Sequence, residues 1–172
     1  MEVAPPFLIA LLAHGVIGGS DVILNHEVIT RLPQRRGAGP EQRLHCAREL
    51  AFAAIFFALA WFEWRGLFAW AIVGLFLAEL CISTIDTVLE FDTRVLPVTE
   101  RVMHVMLFIN FGIVLALLAP VLSGWMQLAD GVVRVDYGWA SWVLSAMSVV
   151  SLGWSLRDGL RARQLFRKTQ GG

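Results

Sequence analysis

Five long apolar stretches, separated by short polar or Gly- and Pro-containing breaks, dominate the pattern of hydrophobic and polar positions in this chain. A transmembrane helix takes about 20 residues, and each stretch reaches that length. The pattern predicts helices over residues 7–30, 41–63, 67–91, 98–122 and 138–165, with Pro97 and Pro120 bounding the fourth. We expect one all-α transmembrane domain over residues 1–172, in which the first four helices form an up-down bundle.

The composition supports a membrane location. Hydrophobic residues make up 57% of the chain, charged residues only 16%, and the mean hydropathy is +0.65, all outside the range of ordinary soluble domains. The net charge is zero, so the basic surface that nucleic-acid binding requires is absent. The composition therefore predicts an integral membrane protein in contact with lipid, and it leaves the oligomeric state open.

The distribution of basic residues predicts the orientation. Twelve of the 14 Lys and Arg residues fall in or beside the first loop, the third loop and the C-terminal tail, and only Arg65 and Arg134 map to the opposite side. Lys and Arg near helix ends are retained on the cytoplasmic side. Most Trp residues map to the other helix ends, as expected for an interfacial belt. We therefore expect the N-terminus outside and the C-terminus in the cytoplasm.

Polar side chains lie toward one end of each of the first four predicted helices, and an antiparallel arrangement brings those ends together. Residues three or four apart share a helix face, which places the polar residues of each helix on one side. An ionised side chain at mid-bilayer costs about 2.5–3.5 kcal/mol or more, so these groups must face the interior and pair, share protons or bind a cation. The predicted layer comprises Asp21, Asn25, His45, Glu49, Glu79, Asp86, Glu90, Glu100 and His104.

The leading interpretation of this layer is a carboxylate/histidine metal centre of a redox enzyme that acts on a lipid-phase substrate. Four-helix bundles hold di-iron and dimanganese sites with carboxylates from four helices and two histidines, and oxygen-rich ligation suits iron or manganese. The spacing here is His-x-x-x-Glu and Glu-x-x-x-His, whereas the soluble proteins have Glu-x-x-His. The predicted ligands are Asp21, His45, Glu49, Asp86, Glu90, Glu100 and His104.

Roles beyond ligation follow from the same interpretation. Glu49 and Asp86 would take part in catalysis, and Glu79 would relay protons. Arg48, Arg101 and Asn25 would contact the centre or its ligands.

Three other interpretations remain open. The first is metal-free acid/base catalysis by an isomerase or cyclase of a lipid or prenyl substrate, with His45 and Glu49 as acid and base. The second is a structural or proton-pathway protein in which Arg48, Arg94 and Arg101 neutralise neighbouring carboxylates. The third, less favoured, is a haem held between His45 and His104.

Outside the layer, we expect His26 and Glu27 to turn away from the polar face, His14 to be a core histidine and Glu63 to pair with Arg65.

Several short motifs also resemble a group of uncharacterised bacterial integral membrane proteins that occur alone or ahead of a short-chain dehydrogenase/epimerase-like domain. The resemblance covers about two thirds of the chain and implies the bacterial inner membrane, with any reductase a separate protein. It supports the choice of residues and does not specify a reaction. The motifs are Asp21 with Asn25-His26-Glu27, Leu44-His45-x-x-Arg48, Trp61-x-Glu63, Glu79 with Asp86-x-x-x-Glu90, Leu96-Pro97-x-x-Glu100-Arg101-x-x-His104 and Leu118-Ala119-Pro120.

Overall fold

The computed structural model describes residues 4–35 and 37–170, and it consists mainly of five long helices. Residues 1–3, Arg36 and residues 171–172, which the predicted domain includes, lie outside the described residues. Short 3-10 turns occur at Leu32–Gln34 and Gly66–Phe68. The helices are α1 (Pro6–Asp21), which continues as a π-helical segment (Val22–Ile29), α2 (Gly39–Trp61), α3 (Ala69–Thr93), α4 (Val98–Met126) and α5 (Trp139–Gln170).

The prediction of five helices that are long and apolar enough to cross a membrane is confirmed. The prediction that Pro120 ends the fourth helix is wrong, because α4 continues through Pro120 to Met126. Proline removes one helical hydrogen bond, yet an apolar environment offers the following backbone groups no better partner than the continued helix.

The chain also contains two short strands that the all-α prediction omits. Strand β1 (Phe62–Arg65) follows α2 directly and pairs antiparallel with β2 (Gly131–Arg134), with Glu63 opposite Val133. Aromatic and β-branched residues in both segments favour extended backbone. The predicted second helix, residues 41–63, therefore ends two residues too late, and it also begins two residues after α2 does. The predicted pairing of Glu63 with Arg65 is confirmed by an Nη2–Oε2 distance of 2.6 Å.

Helix α2 is the central helix of the molecule. Its most apolar stretch is 56% buried, compared with 17–33% for the other four helices. It packs chiefly against α5 and α3, while α1 packs against α4. Ser141, Ser148 and Ser155 of α5, spaced seven residues apart, donate to the carbonyls of residues 60, 53 and 46 of α2 at 2.6–2.8 Å. Small polar residues at this spacing let two helices approach closely, so α5 is an integral part of the packing.

The interior is divided into an apolar half and a polar half. The apolar half lies toward the two strands and includes Phe7, Ile55, Leu59, Ile72 and Leu118. Buried acids, imidazoles and amides fill the opposite half. The outer surface is rich in exposed Val, Leu, Ile and Phe side chains, as expected for a surface in contact with lipid.

Gly66 begins the connection from β1 to α3 and provides a test of this end of the fold. Its φ is +57°, and an added Cβ would lie 2.0 Å from Asp130 Oδ1 and 2.9 Å from Asp130 Cα. Asp130 Oδ1 accepts a hydrogen bond from the Leu67 amide at 2.8 Å, so it cannot withdraw without losing that bond. We expect Gly66→Ala to lower the free energy of unfolding, measured by SDS titration in mixed micelles, by about 1–3 kcal/mol.

Gly131 is the matched control for this change. It lies in β2 beside the same turn, and nothing lies within 4 Å of a Cβ added there. Equal stability of the Gly66→Ala and Gly131→Ala variants would contradict the described geometry.

Candidate metal centre

The buried polar half is a cluster built where one end of each of the first four helices meets the others. The π-helical segment after α1, the start of α2, the end of α3 and the start of α4 all contribute to it. Apart from His104, which is slightly more exposed, its side chains are at least nine-tenths buried. The cluster contains Asp21, Asn25, His26, Glu41, His45, Asp86, Glu90, Arg94, Glu100 and His104.

One group of possible ligand atoms surrounds His26 and His104. His104 Nε2 lies 3.3 Å from Asp21 Oδ2, and His104 Nδ1 lies 3.5 Å from Glu90 Oε2. His26 Nε2 lies 3.2 Å from Glu100 Oε1 and 3.6 Å from Asp21 Oδ2. Ligand atoms of His26, Glu90, Glu100 and His104 all lie within 4.8 Å of one another. This group therefore has the dimensions of one metal site.

A second group lies beside the first and shares two residues with it. His45 Nε2 lies 3.2 Å from Asp86 Oδ2 and 3.7 Å from Glu90 Oε1. Ligand atoms of His26, Glu41, His45 and Glu90 again lie within 4.8 Å of one another. The rings of His26 and His45 are 4.4 Å apart between centroids. His26 and Glu90 thus belong to both groups.

The cluster leaves buried polar atoms unsatisfied. Among the described residues, Asp21 Oδ2, both ring nitrogens of His26, His45 Nε2, Glu90 Oε2 and His104 Nε2 have no hydrogen-bond partner of acceptable geometry. Such atoms are costly in a protein interior. Two atoms that bind one ion at about 2.1 Å lie about 3.0–3.4 Å apart, close to the contacts seen here. The donor set therefore fits a cation.

Arg94 closes the outer side of the cluster and holds three carboxylates in place. Its Nη2 donates to Glu41 Oε1 at 2.7 Å, to Glu90 Oε1 at 3.2 Å and to Glu100 Oε1 at 2.6 Å, and its Nη1 donates to Glu100 Oε2 at 2.7 Å. Hydrogen bonds to Glu100 and Glu41 hold the pKa of Arg94 well above its ordinary value, against the effect of burial. The permanent charge of this guanidinium fixes the carboxylates on one side of the cluster.

The cluster nevertheless holds more acids than arginines. A second guanidinium, that of Arg48, lies beside the cluster, and its Nη1 donates to Asp86 Oδ2 at 3.4 Å. If every carboxyl is ionised and every imidazole is neutral, five negative charges face two positive ones, and three remain unbalanced. Protons or a bound cation must supply the difference. The five carboxyl groups belong to Asp21, Glu41, Asp86, Glu90 and Glu100.

The expectation that His26 and Glu27 turn away is wrong for His26, and the π-helical segment is the reason. In an α-helix at 100° per residue, Asp21 and His26 would lie about 140° apart. A π-helix bonds residues five apart, so Asp21 and His26 share one face. Glu27 does turn away, and it pairs with Arg157. The hydrophobic pattern of residues 22–29 does not distinguish a π-helix from an α-helix, so this segment could not be predicted from the sequence.

Glu41 was absent from the predicted site, and Arg94 was predicted only in the structural interpretation, as a partner of neighbouring carboxylates, which is the role that it has here. Glu41 lies in the first turn of α2, where an acid is ordinarily solvated, and here it is 4% exposed because Arg94 covers it. Arg94 lies in the short connection before Pro97, between Glu90 and Glu100. The position of this arginine in a short connection between two acid-bearing helices is the sequence signal for its role.

The remaining predicted site residues lie in three different places. Asn25 Nδ2 donates to Asp21 Oδ1 at 2.7 Å, and Asn25 Oδ1 accepts from Thr99 at 2.6 Å, so Asn25 orients Asp21 within the cluster. Arg101 is exposed on α4, away from the cluster. Glu49 and Glu79 belong to neither ligand group. They line an adjoining cavity instead.

This cavity has a volume of about 330 Å³, and residues of all five helices line it. His104 also lines it and so connects the cavity to the cluster. His14, predicted as a core histidine, is buried and stacks on Phe52 at 4.7 Å between ring centroids. A small apolar molecule in this cavity would thus lie next to the candidate ligands.

No family model, curated protein or solved structure matches this chain, so the candidate site is supported by its own geometry.

Proposed function

We propose that this chain is a membrane-embedded metalloprotein that holds iron or manganese in the buried cluster and acts as a redox enzyme on a lipid-phase substrate. One observation carries the proposal: imidazole and carboxylate atoms from four helices converge without hydrogen-bond partners among the described residues. We further propose the bacterial inner membrane, with the N-terminus outside and the cluster in the cytoplasmic half of the bilayer, in accordance with the clustered arginines.

The two overlapping ligand groups favour two adjacent ions. Glu90 directs Oε1 toward His45 and Oε2 toward His104, so its carboxylate would contribute an oxygen to each group. Several carboxylates and three imidazoles favour iron or manganese over softer metals. Bound there, such ions would supply one-electron chemistry.

The surrounding residues would orient and shield the ligands. Asn25 and Thr99 hold Asp21, and Arg94 holds Glu41, Glu90 and Glu100. Such outer hydrogen bonds commonly change metal affinity about 10- to 100-fold. The apolar cavity beside His104 would admit the substrate from the bilayer, and a separate protein would supply electrons.

Metal analysis of detergent-purified protein tests this function. After expression with added iron or manganese, we expect about one to two ions per chain by mass spectrometry, as two ligand groups imply. An absorption spectrum without a Soret band is expected as well, since carboxylates crowd the histidines that haem would need. A folded protein with less than one ion per chain would contradict the proposal.

A metal-free acid/base enzyme is the second candidate, and Glu49 favours it. Both oxygens of this buried carboxyl lack hydrogen-bond partners among the described residues, and the side chain borders the cavity. A carboxyl in such a position is able to exchange a proton with a bound substrate. Retention of full activity by chelator-treated, metal-free protein would favour this candidate.

A further inference from the structure

The cavity beside the cluster is bordered by residues that are exposed at the lipid-facing surface. Ile23 and Val150 border it and are 56% and 58% exposed. Its volume of about 330 Å³ lies at the lower end of the range for pockets that hold drug-sized ligands, about 300–1,000 Å³. Its walls are largely apolar and include the aromatic side chains of Phe52, Phe108 and Trp154.

Two acids interrupt these apolar walls. Glu49 is 8% exposed, and neither of its oxygens has a hydrogen-bond partner among the described residues. Glu79 is 3% exposed, and its Oε1 accepts a hydrogen bond from Ser83 at 2.6 Å. Arg48 also borders the cavity, but its guanidinium donates to Asp86. A ligand that brings hydrogen-bond donors would therefore satisfy the oxygens of Glu49.

We propose that this cavity binds a lipophilic amine, with its ammonium group donating to Glu49 and its apolar part among the aromatic rings. An ammonium supplies several donors and the positive charge that the acids lack, and it is attracted to aromatic faces. An alcohol supplies one donor and no charge, and Glu49 and Glu79 repel a carboxylate head group. Any reaction of the bound amine rests on the proposed function, whereas its binding requires only the cavity.

Binding of tritiated decylamine to the detergent-purified full chain, measured by scintillation proximity, tests the proposal. Unlabelled decylamine should compete at about tenfold lower concentration than decanol, and decanoate should compete least, because a charge-assisted hydrogen bond exceeds a neutral one. Glu49→Gln should weaken decylamine binding about 10- to 100-fold. Glu63→Gln, the same change outside the cavity, should leave binding unaltered.

A second variant keeps the test independent of the acids. Gly18 borders the cavity, and a Cβ added there would lie 3.7 Å from Leu107, so Gly18→Leu should fill the space without a clash at Cβ. Gly112→Leu on α4, outside the cavity, is its control. Equal competition by amine and alcohol, or wild-type binding by both cavity variants, would overturn the proposal. Amine binding by protein that holds less than one ion per chain after metal-supplemented expression would support the cavity while contradicting the metal function. A metal-loaded protein without amine binding would do the reverse.

Discussion

His26→Gln is expected to reduce the metal content of the purified protein to well below one ion per chain. His26 belongs to both ligand groups, so its loss removes a donor from each. Loss of an outer-shell partner alone costs about 10- to 100-fold in metal affinity, and loss of a direct ligand should cost at least as much. Mass spectrometry of iron and manganese after supplemented expression measures the effect.

His14→Gln is the matched control. His14 lies on the same first helix, is 6% exposed and stacks on Phe52, but belongs to neither ligand group. We expect its variant to retain the metal content of the wild type. If both variants bind metal equally, His26 is not a ligand. If both lose it equally, the loss reflects folding of the first helix and not ligation.

The helices and the general position of the polar layer could be predicted from the sequence because both depend on local patterns. Apolar length defines a transmembrane helix, and a spacing of three or four residues defines a helix face. Asp21, His45, Glu90 and His104 follow these rules, and the structure brings them together. The face assignment fails at His26, because five residues separate it from Asp21 and only a π-helical turn aligns that spacing.

Tertiary packing decided the parts of the site that the sequence did not reveal. Glu41 and Arg94 lie 53 positions apart, and both are buried where they pair with each other. Arg101 has the same side chain as Arg94 and follows it by seven positions, yet it is exposed. Arg94 lies in the connection between α3 and α4, whereas Arg101 lies in the first turn of α4. Their different exposure follows from these positions in the fold, which no short-range pattern specifies.

Arg94→Met is expected to cause the largest loss of stability of any single change in the cluster. Arg94 donates to Glu41, Glu90 and Glu100, all nine-tenths or more buried. Removal of one partner from a buried ion pair leaves an uncompensated charge and costs about 3–5 kcal/mol. SDS titration in mixed micelles should show this decrease in the free energy of unfolding.

Two further variants assign that decrease to charge. Arg101→Met removes an exposed guanidinium from α4 and should change the free energy of unfolding by no more than about 0.5 kcal/mol. Glu41→Gln combined with Arg94→Met removes one of the stranded carboxylates, so the double variant should be more stable than Arg94→Met alone. If the two losses simply add, the carboxylates do not depend on Arg94 for their charge balance, and the cluster is held together by packing. A partial recovery of stability instead would show that the negative charge at this end of the helices requires a positive partner. The same requirement makes the neighbouring unsatisfied imidazole and carboxylate atoms suitable for a metal ion.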